Sequence, residues 1–242
     1  MKRKIVLSLA VLFLGLNLFS QGFSSFSVEG ELQKSVIKNV VDGPSKIEVL
    51  VDESMDLTKV PFKYRLLGGC YLDGKISPDF TEPQRITVGR RGVDSKDWII
   101  SVKRLQKAPL PFQLSFSKNN PSIWSNEVVG WAGILVDETK ETVIRFGNHG
   151  VSFIVAVANA PKSVEYELTP VSKEKVKFDG KFVVETSADG RTWTSLYSFD
   201  SKNDFSEEPV YKHELSSDVR YVKWTYVERN RLNINLNNIR VE

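Results

Sequence analysis

Two histidines, His149 and His213, and one cysteine, Cys70, are the chain's whole stock of imidazole and thiol. A Ser-His-Asp site needs a histidine steered by an acid, and the spacing around neither histidine writes one. Zinc takes three or four Cys, His or carboxylate ligands, and three scattered groups do not supply them. Acids occur as the pairs Asp137-Glu138 and Glu207-Glu208 in segments that read as solvated loops. Glycoside hydrolysis needs two carboxylates facing one bond, and nothing in these spacings fixes that. No metal or cofactor is expected, and no enzyme. What the side chains offer is recognition. Trp124 lies in Pro121-Ser-Ile-Trp-Ser-Asn126, outside any clean strand pattern. An exposed indole face can stack on the C–H face of a sugar while amides and guanidinium groups meet its hydroxyls. Gly147-Asn-His-Gly150 and Glu228-Arg-Asn-Arg231 both read as loops, where side chains are least needed by a core. Trp124, Asn126, Asn148, His149, Arg229 and Asn230 are therefore the candidate ligand contacts.

The elements that must position them are strands. No stretch of a dozen residues repeats apolar positions at helical spacing, whereas alternation is common. Ile47, Val49 and Val51 alternate with polar neighbours, and so do Ile86 and Val88, then Trp98, Ile100 and Val102. In Val219–Val227, Val222, Trp224 and Tyr226 share one face and read as core. Tyr221, Lys223 and Thr225 share the other and read as partly solvated. The strand Lys181–Thr186 runs into Asp189-Gly190, which predicts a two-residue type I′ turn with Trp193 packing in the core on the return.

The N-terminus reads as a leader. Lys2, Arg3 and Lys4 precede an apolar run from Ile5 to Leu18, and Ser20-Gln21-Gly22 supplies small residues for cleavage. Residues 1–22 are thus expected to be a signal peptide, and the protein to be exported to the periplasm, cell surface or medium, with no membrane span in the mature chain. The whole chain has 33 basic and 30 acidic residues. Removing the three basic residues of the leader leaves a balanced chain. Nucleic acid is therefore an unexpected partner, because its binders carry a basic footprint. With one cysteine there is no internal disulfide, and Leu66-Leu67-Gly-Gly-Cys70-Tyr-Leu72 predicts a buried thiol.

Leu105-Gln-Lys-Ala-Pro-Leu-Pro111 breaks the strand pattern. Its prolines suit an extended connector, placed at residues 105–111 between domains 26–104 and 110–242. In the second, the order Ser187–Leu196, Val219–Tyr226 and Leu236–Val241 resembles the C-terminal half of a galactose-binding-like (discoidin or F5/8-type) jelly roll, and Leu110–Phe116 resembles its first strand. In the first, Ile76–Val88, the turn at Arg91–Asp94 and Asp97–Lys103 are similar to small immunoglobulin-like modules of exported Bacteroidetes proteins. These resemblances imply an all-β chain, a small Ig-like sandwich followed by a β-jelly-roll sandwich. They imply a non-enzymatic binding protein, its partner a glycan or, alternatively, a surface protein or matrix in an adhesive role. Related folds can hold Ca²⁺. Gln113-Leu114 and Asn237 stand where relatives often carry acids, which argues against such a site here.

Overall fold

The computed structural model describes residues 21–114, 122–125, 133–136, 142–172, 177–205 and 208–242, with the backbone alone at 124, 125, 133–136 and 142. Among these residues the chain is all-β, with one turn of 3-10 helix at Leu57–Lys59. No described helix is long and apolar enough to cross a membrane.

The N-terminal half holds β1 (Phe23–Val28), β2 (Val36–Lys38), β3 (Ser45–Asp52), β4 (Phe62–Leu66), β5 (Cys70–Asp73), β6 (Gln84–Arg90) and β7 (Val93–Leu105). β1 pairs with β4, and the other strands form a sheet in the order β2-β3-β7-β6-β5. The alternating residues do what alternation requires. Ile47, Val49, Val51, Ile86, Val88, Trp98 and Ile100 point inward and meet Phe23, Phe26 and Phe80 from the facing side. β6 and β7 form a hairpin with Ile86 opposite Trp98, turning at Gly92, which takes φ +77°. β3 runs parallel to β7 along its whole length, a long-range pairing with no local turn to announce it. Tyr71 stands opposite Gly89, and a Cβ there would lie 2.5 Å from the Tyr71 ring. Glycine lets the exposed ring lie flat on the strand and restore the cover a side chain would have given. Gln21 and Gly22, assigned to the leader on sequence, are already built in. The Gln21 amide donates to the Asp94 carbonyl at 2.6 Å, and Gly22 lies against the Trp98 ring.

The C-terminal half is a two-sheet sandwich. Its strands are β8 (Phe112–Gln113), β9 (Ile123–Ser125), β10 (Gly133–Val136), β11 (Thr142–Phe146), β12 (Val151–Ala156), β13 (Ser163–Val171), β14 (Lys181–Ser187), β15 (Thr194–Phe199), β16 (Val210–Glu214), β17 (Tyr221–Glu228) and β18 (Asn233–Val241). One sheet runs β10-β11-β18-β13-β16, with β8 also on β18, and the other β15-β14-β17-β12-β9. Phe153, Val155, Phe182, Val184, Val222, Trp224 and Tyr226 from the second sheet pack on Tyr166, Leu168, Ile234 and Leu236 from the first.

The two halves share no sheet among the described residues, but they share a core. Leu32, Leu50 and Leu105 from the N-terminal side close over Ile154, Ala156 and Tyr221 on the outer face of β12 and β17. The connector is pinned between them. Ala108 N–H donates to the Ala156 carbonyl at 2.9 Å, and Ala158 N–H donates to the Ala108 carbonyl at 2.7 Å. Lys107 Nζ sits 3.0 Å from Asp52 and 5.4 Å from the Tyr221 ring centre, and the Tyr221 hydroxyl donates to the same Asp52 carboxylate.

This third core, with the loops beside it, corrects three expectations. Tyr221 is fully buried, because the N-terminal half covers the face that periodicity alone assigns to solvent. Trp193 lies outside the sandwich core, half-buried at the margin of the shared cluster. Asp189-Gly190 is not a two-residue turn. β14 ends at Ser187 and β15 starts at Thr194, and of the pair only Gly190 has positive φ, at +70°. The Asp189 carboxylate takes the N–H groups of Arg191 and Thr192 at 2.8 Å each, an Asx-type arrangement that holds a wider loop. A fourth correction concerns Cys70, half-buried because β5 is the edge of its sheet.

Candidate functional site

Four of the six candidate contacts come together at one end of the sandwich. The loop before β12 carries Asn148 and His149, and the loop after β17 carries Arg229 and Asn230. They adjoin because Val151 pairs with Tyr226. Their polar atoms are tied to one another. His149 Nδ1 accepts the Arg229 N–H at 3.0 Å, and Arg229 Nε donates to Asn233 Oδ1 at 3.1 Å. Asn230 Nδ2 donates to the Asp179 carbonyl, and Arg231 pairs with the Asp179 carboxylate at 2.9 Å. The geometry is that of a clasp joining three loops. Trp124, expected outside any strand, sits in the short edge strand β9 opposite Ile154. Asn126 lies outside the described residues.

His213 is half-buried on β16. Its Nε2 is 2.9 Å from the Tyr166 hydroxyl, and its ring lies between those of Tyr166 and Tyr197. Burial pushes the imidazole below its ordinary range. With Tyr211 and Phe199 this cluster closes the side of the sandwich where β15 and β16 approach.

Among the described residues, a recess that combines aromatic and polar groups lies elsewhere, along the seam of the two halves. It is a groove of about 370 Å³, floored by the outer face of β12 and β17 and walled by residues 31–34 on one side and the β14–β15 loop on the other. That volume falls in the range of small-ligand sites, roughly 300–1,000 Å³. Trp193 stands in its wall. Lys223 Nζ lies 3.8 Å over the Trp193 ring centre and 3.0 Å from the Glu185 carboxylate. The ammonium so held braces the indole from one side. Burial lowers the Lys223 pKa, with Glu185 opposing that shift. On the floor, the Ser152 hydroxyl donates to Gln33 Oε1 across the seam. Gln33 Nε2 and Thr225 Oγ1 are buried there with no hydrogen-bond partner. Each such group costs about 1–3 kcal/mol, and both lie beneath the surface of the floor, out of reach from the groove. Gly150, beside His149, lines the groove, whereas Asn148, His149, Arg229 and Asn230 do not.

The groove escaped sequence reasoning because its parts lie far apart in the chain. Trp193 was visible but assigned to the core, and nothing in Leu32-Gln33-Lys34 announces that it lies on another sheet. A second hollow, about 280 Å³, lies among Ser187, Asp189, Thr192, Ser216 and Asp218. Its carboxylates are spent on local turns. Among the described residues, no three His, Cys, Asp or Glu side chains gather as metal ligands.

No family model matches the chain, and no curated protein does. Solved structures match at a distance. A candidate glycoside hydrolase from Bacteroides thetaiotaomicron is 12% identical, with 92% of this chain and 96% of that one covered and a TM-score of 0.46. The K2 cleaved adhesin domain of Lys-gingipain is 14% identical over 54% of this chain and 98% of its own, with a TM-score of 0.40. A family 29 carbohydrate-binding module from Piromyces equi is 12% identical over 50% and 80%, at 0.34. Likenesses this remote assign neither family nor activity.

Proposed function

We propose that the chain is an exported, non-enzymatic carbohydrate-binding protein whose binding site is the groove at the seam. The observation that carries this reading is the half-buried Trp193, braced by Lys223, beside the polar side chains of Gln33, Ser152 and Thr225 that line the same groove. An apolar ring flanked by amide and hydroxyl groups is what a sugar, apolar on its C–H faces and polar at its rim, requires. The reading is non-enzymatic because the nearby acids are engaged. Glu185 is paired with Lys223, and Glu31 accepts from Ser35 Oγ at 2.6 Å and from Val28 N–H at 3.2 Å. Both carboxylates are held by other partners, whereas glycoside hydrolysis would ask for a pair facing the scissile bond. In the same proposal the halves are an Ig-like domain and a galactose-binding-like jelly roll, and the leader is cleaved before Gln21. The clasp of Asn148, His149, Arg229 and Asn230 then borders the site.

The test is a glycan array with the purified mature protein, followed by titration of any hit against Trp193→Ala. Binding that disappears in the variant at unchanged melting temperature supports the site. Binding that persists unaltered removes the groove from consideration. Release of reducing sugar from a bound polysaccharide would overturn the non-enzymatic reading.

A further inference from the structure

The groove carries an uneven set of polar groups. Lys34 and Arg191 are exposed on its two walls, and among the described residues neither is held in an ion pair. Arg191 reaches across the seam, its Nη2 2.9 Å from where a Cβ of Gly30 would stand. The third cation, Lys223, is neutralised by Glu185. The one other acid, Glu31, is turned to Ser35 and to the Val28 N–H. Gln33 has its acceptor oxygen taken by Ser152, and its amide nitrogen is buried beneath the groove surface. The charged groups left over are therefore two cations, both donors, on opposite walls of one cleft.

A ligand of neutral hydroxyls meets donors and acceptors about equally well. A cleft biased towards donors is better matched by an acceptor that carries charge, since hydrogen bonds to an ionised partner are about twice as strong as neutral ones. We propose that the groove selects acidic saccharides, with an oxyanion on the sugar, a uronic carboxylate or a sulfate ester, held between Arg191 and Lys34 while the ring lies against Trp193. This rests on the carbohydrate reading above and names its ligand class. The planar guanidinium of Arg191 can give a carboxylate two parallel N–H bonds, which an ammonium cannot.

The experiment is calorimetric titration of the full mature chain with an oligogalacturonide and with its methyl ester. The two have the same skeleton and differ in charge. A sulfated galactan oligosaccharide and its desulfated form make a second pair. The acid should bind roughly tenfold or more tightly than its ester in about 0.1 M salt, and the margin should shrink towards unity in about 1 M salt. Preference for the uronate pair identifies carboxylate as the source, and preference for the sulfated pair identifies sulfate. Arg191→Gln should abolish the preference and leave the weaker binding of the neutral forms. Lys34→Gln, on the other wall, repeats the test should Arg191→Gln disturb the β14–β15 loop. Equal binding of charged and neutral partners overturns the selectivity while leaving the carbohydrate reading intact. If no oligosaccharide of either kind binds, and the glycan array is also blank, the carbohydrate reading falls and this inference with it.

Discussion

Replacing Gly190 by alanine should cost more than either backbone strain or crowding alone, and the excess should vanish in the right partner variant. Gly190 has φ +70°, and a Cβ there would lie 2.2 Å from Leu32 Cδ2 and 3.4 Å from the Tyr221 ring. A left-handed backbone costs a residue with a Cβ about 1–2 kcal/mol. Carbon atoms rest at about 3.5–4.0 Å, so Leu32 must retreat by more than about 1 Å. It is 2% exposed and has nowhere free to go, and crowding of that kind costs about 1–3 kcal/mol. Together Gly190→Ala should lose about 2–5 kcal/mol. Gly92, at φ +77° with nothing within 4 Å, is the control: its alanine variant should lose the strain part only, about 1–2 kcal/mol. Leu32→Ala opens a cavity and should lose about 2–5 kcal/mol by itself. In the double variant the methyl group added at position 190 enters space that Leu32 has left, so the two losses should sum to about 1–3 kcal/mol more than the double loses. Urea unfolding followed by tryptophan fluorescence and by circular dichroism measures all four chains. The slopes must be compared first, since a protein with more than one core can leave two-state behaviour. Losses that add to within about 0.5 kcal/mol would mean that Leu32 and Gly190 do not touch, and the seam between the halves would have to be redrawn.

Three further outcomes can be checked. Burial alone would raise the Asp52 carboxyl, but hydrogen bonds from Ser54 and Tyr221 and the nearby Lys107 outweigh it and hold the group well below the carboxylate range. Its contribution is therefore complete above the unfolded value near 3.8 and drains as pH falls further, so Asp52→Asn should lower stability at neutral pH and flatten the acid limb; parallel acid limbs would contradict this. Burial disfavours the charged form of His213, so its share of stability is complete above the ordinary value of 6.5 and drains as pH falls below it. An NMR titration should place its midpoint lower than 6.5, and a midpoint at or above that value would contradict the burial of the ring. Because Gln21 and Gly22 pack on the fold, intact mass of the exported protein should show Gln21 as its first residue, and a start at Phe23 or later would mean that these contacts are dispensable.

Much of the architecture was legible because it is written in local alternation. Val222, Trp224 and Tyr226 fall on the core face of β17 as their spacing requires, and Ile86, Val88 and Trp98 close the β6–β7 hairpin through a short, glycine-marked turn. The β3–β7 pair was not legible, because a parallel partner 53 residues away leaves no turn to read. The clasp at the loop end was half legible. Its residues are polar and lie in loops, which sequence shows, but their engagement with one another is a matter of where Val151 meets Tyr226.

The candidate site was hidden for a reason that β17 makes plain. Periodicity assigns one face of a strand to the core and the other to solvent, and a strand has no third option. Tyr221, Lys223 and Thr225 follow that rule as a set, yet they meet three different fates along one outer face. Tyr221 lies under Leu32 and Leu50, Lys223 is clamped between Glu185 and Trp193, and Thr225 sits on the groove floor with its hydroxyl unmet. The gradient from buried to open follows the boundary of the N-terminal half, not any property of the three residues. Trp193 carries the same ambiguity. A tryptophan just before a return strand is a sound core assignment when only one sandwich is considered. It becomes a groove wall once a second body stops just short of covering it. A recess of this kind belongs to neither half, so separating the halves should abolish it while leaving both cores intact. For that reason the glycan proposal must be tested on the whole chain.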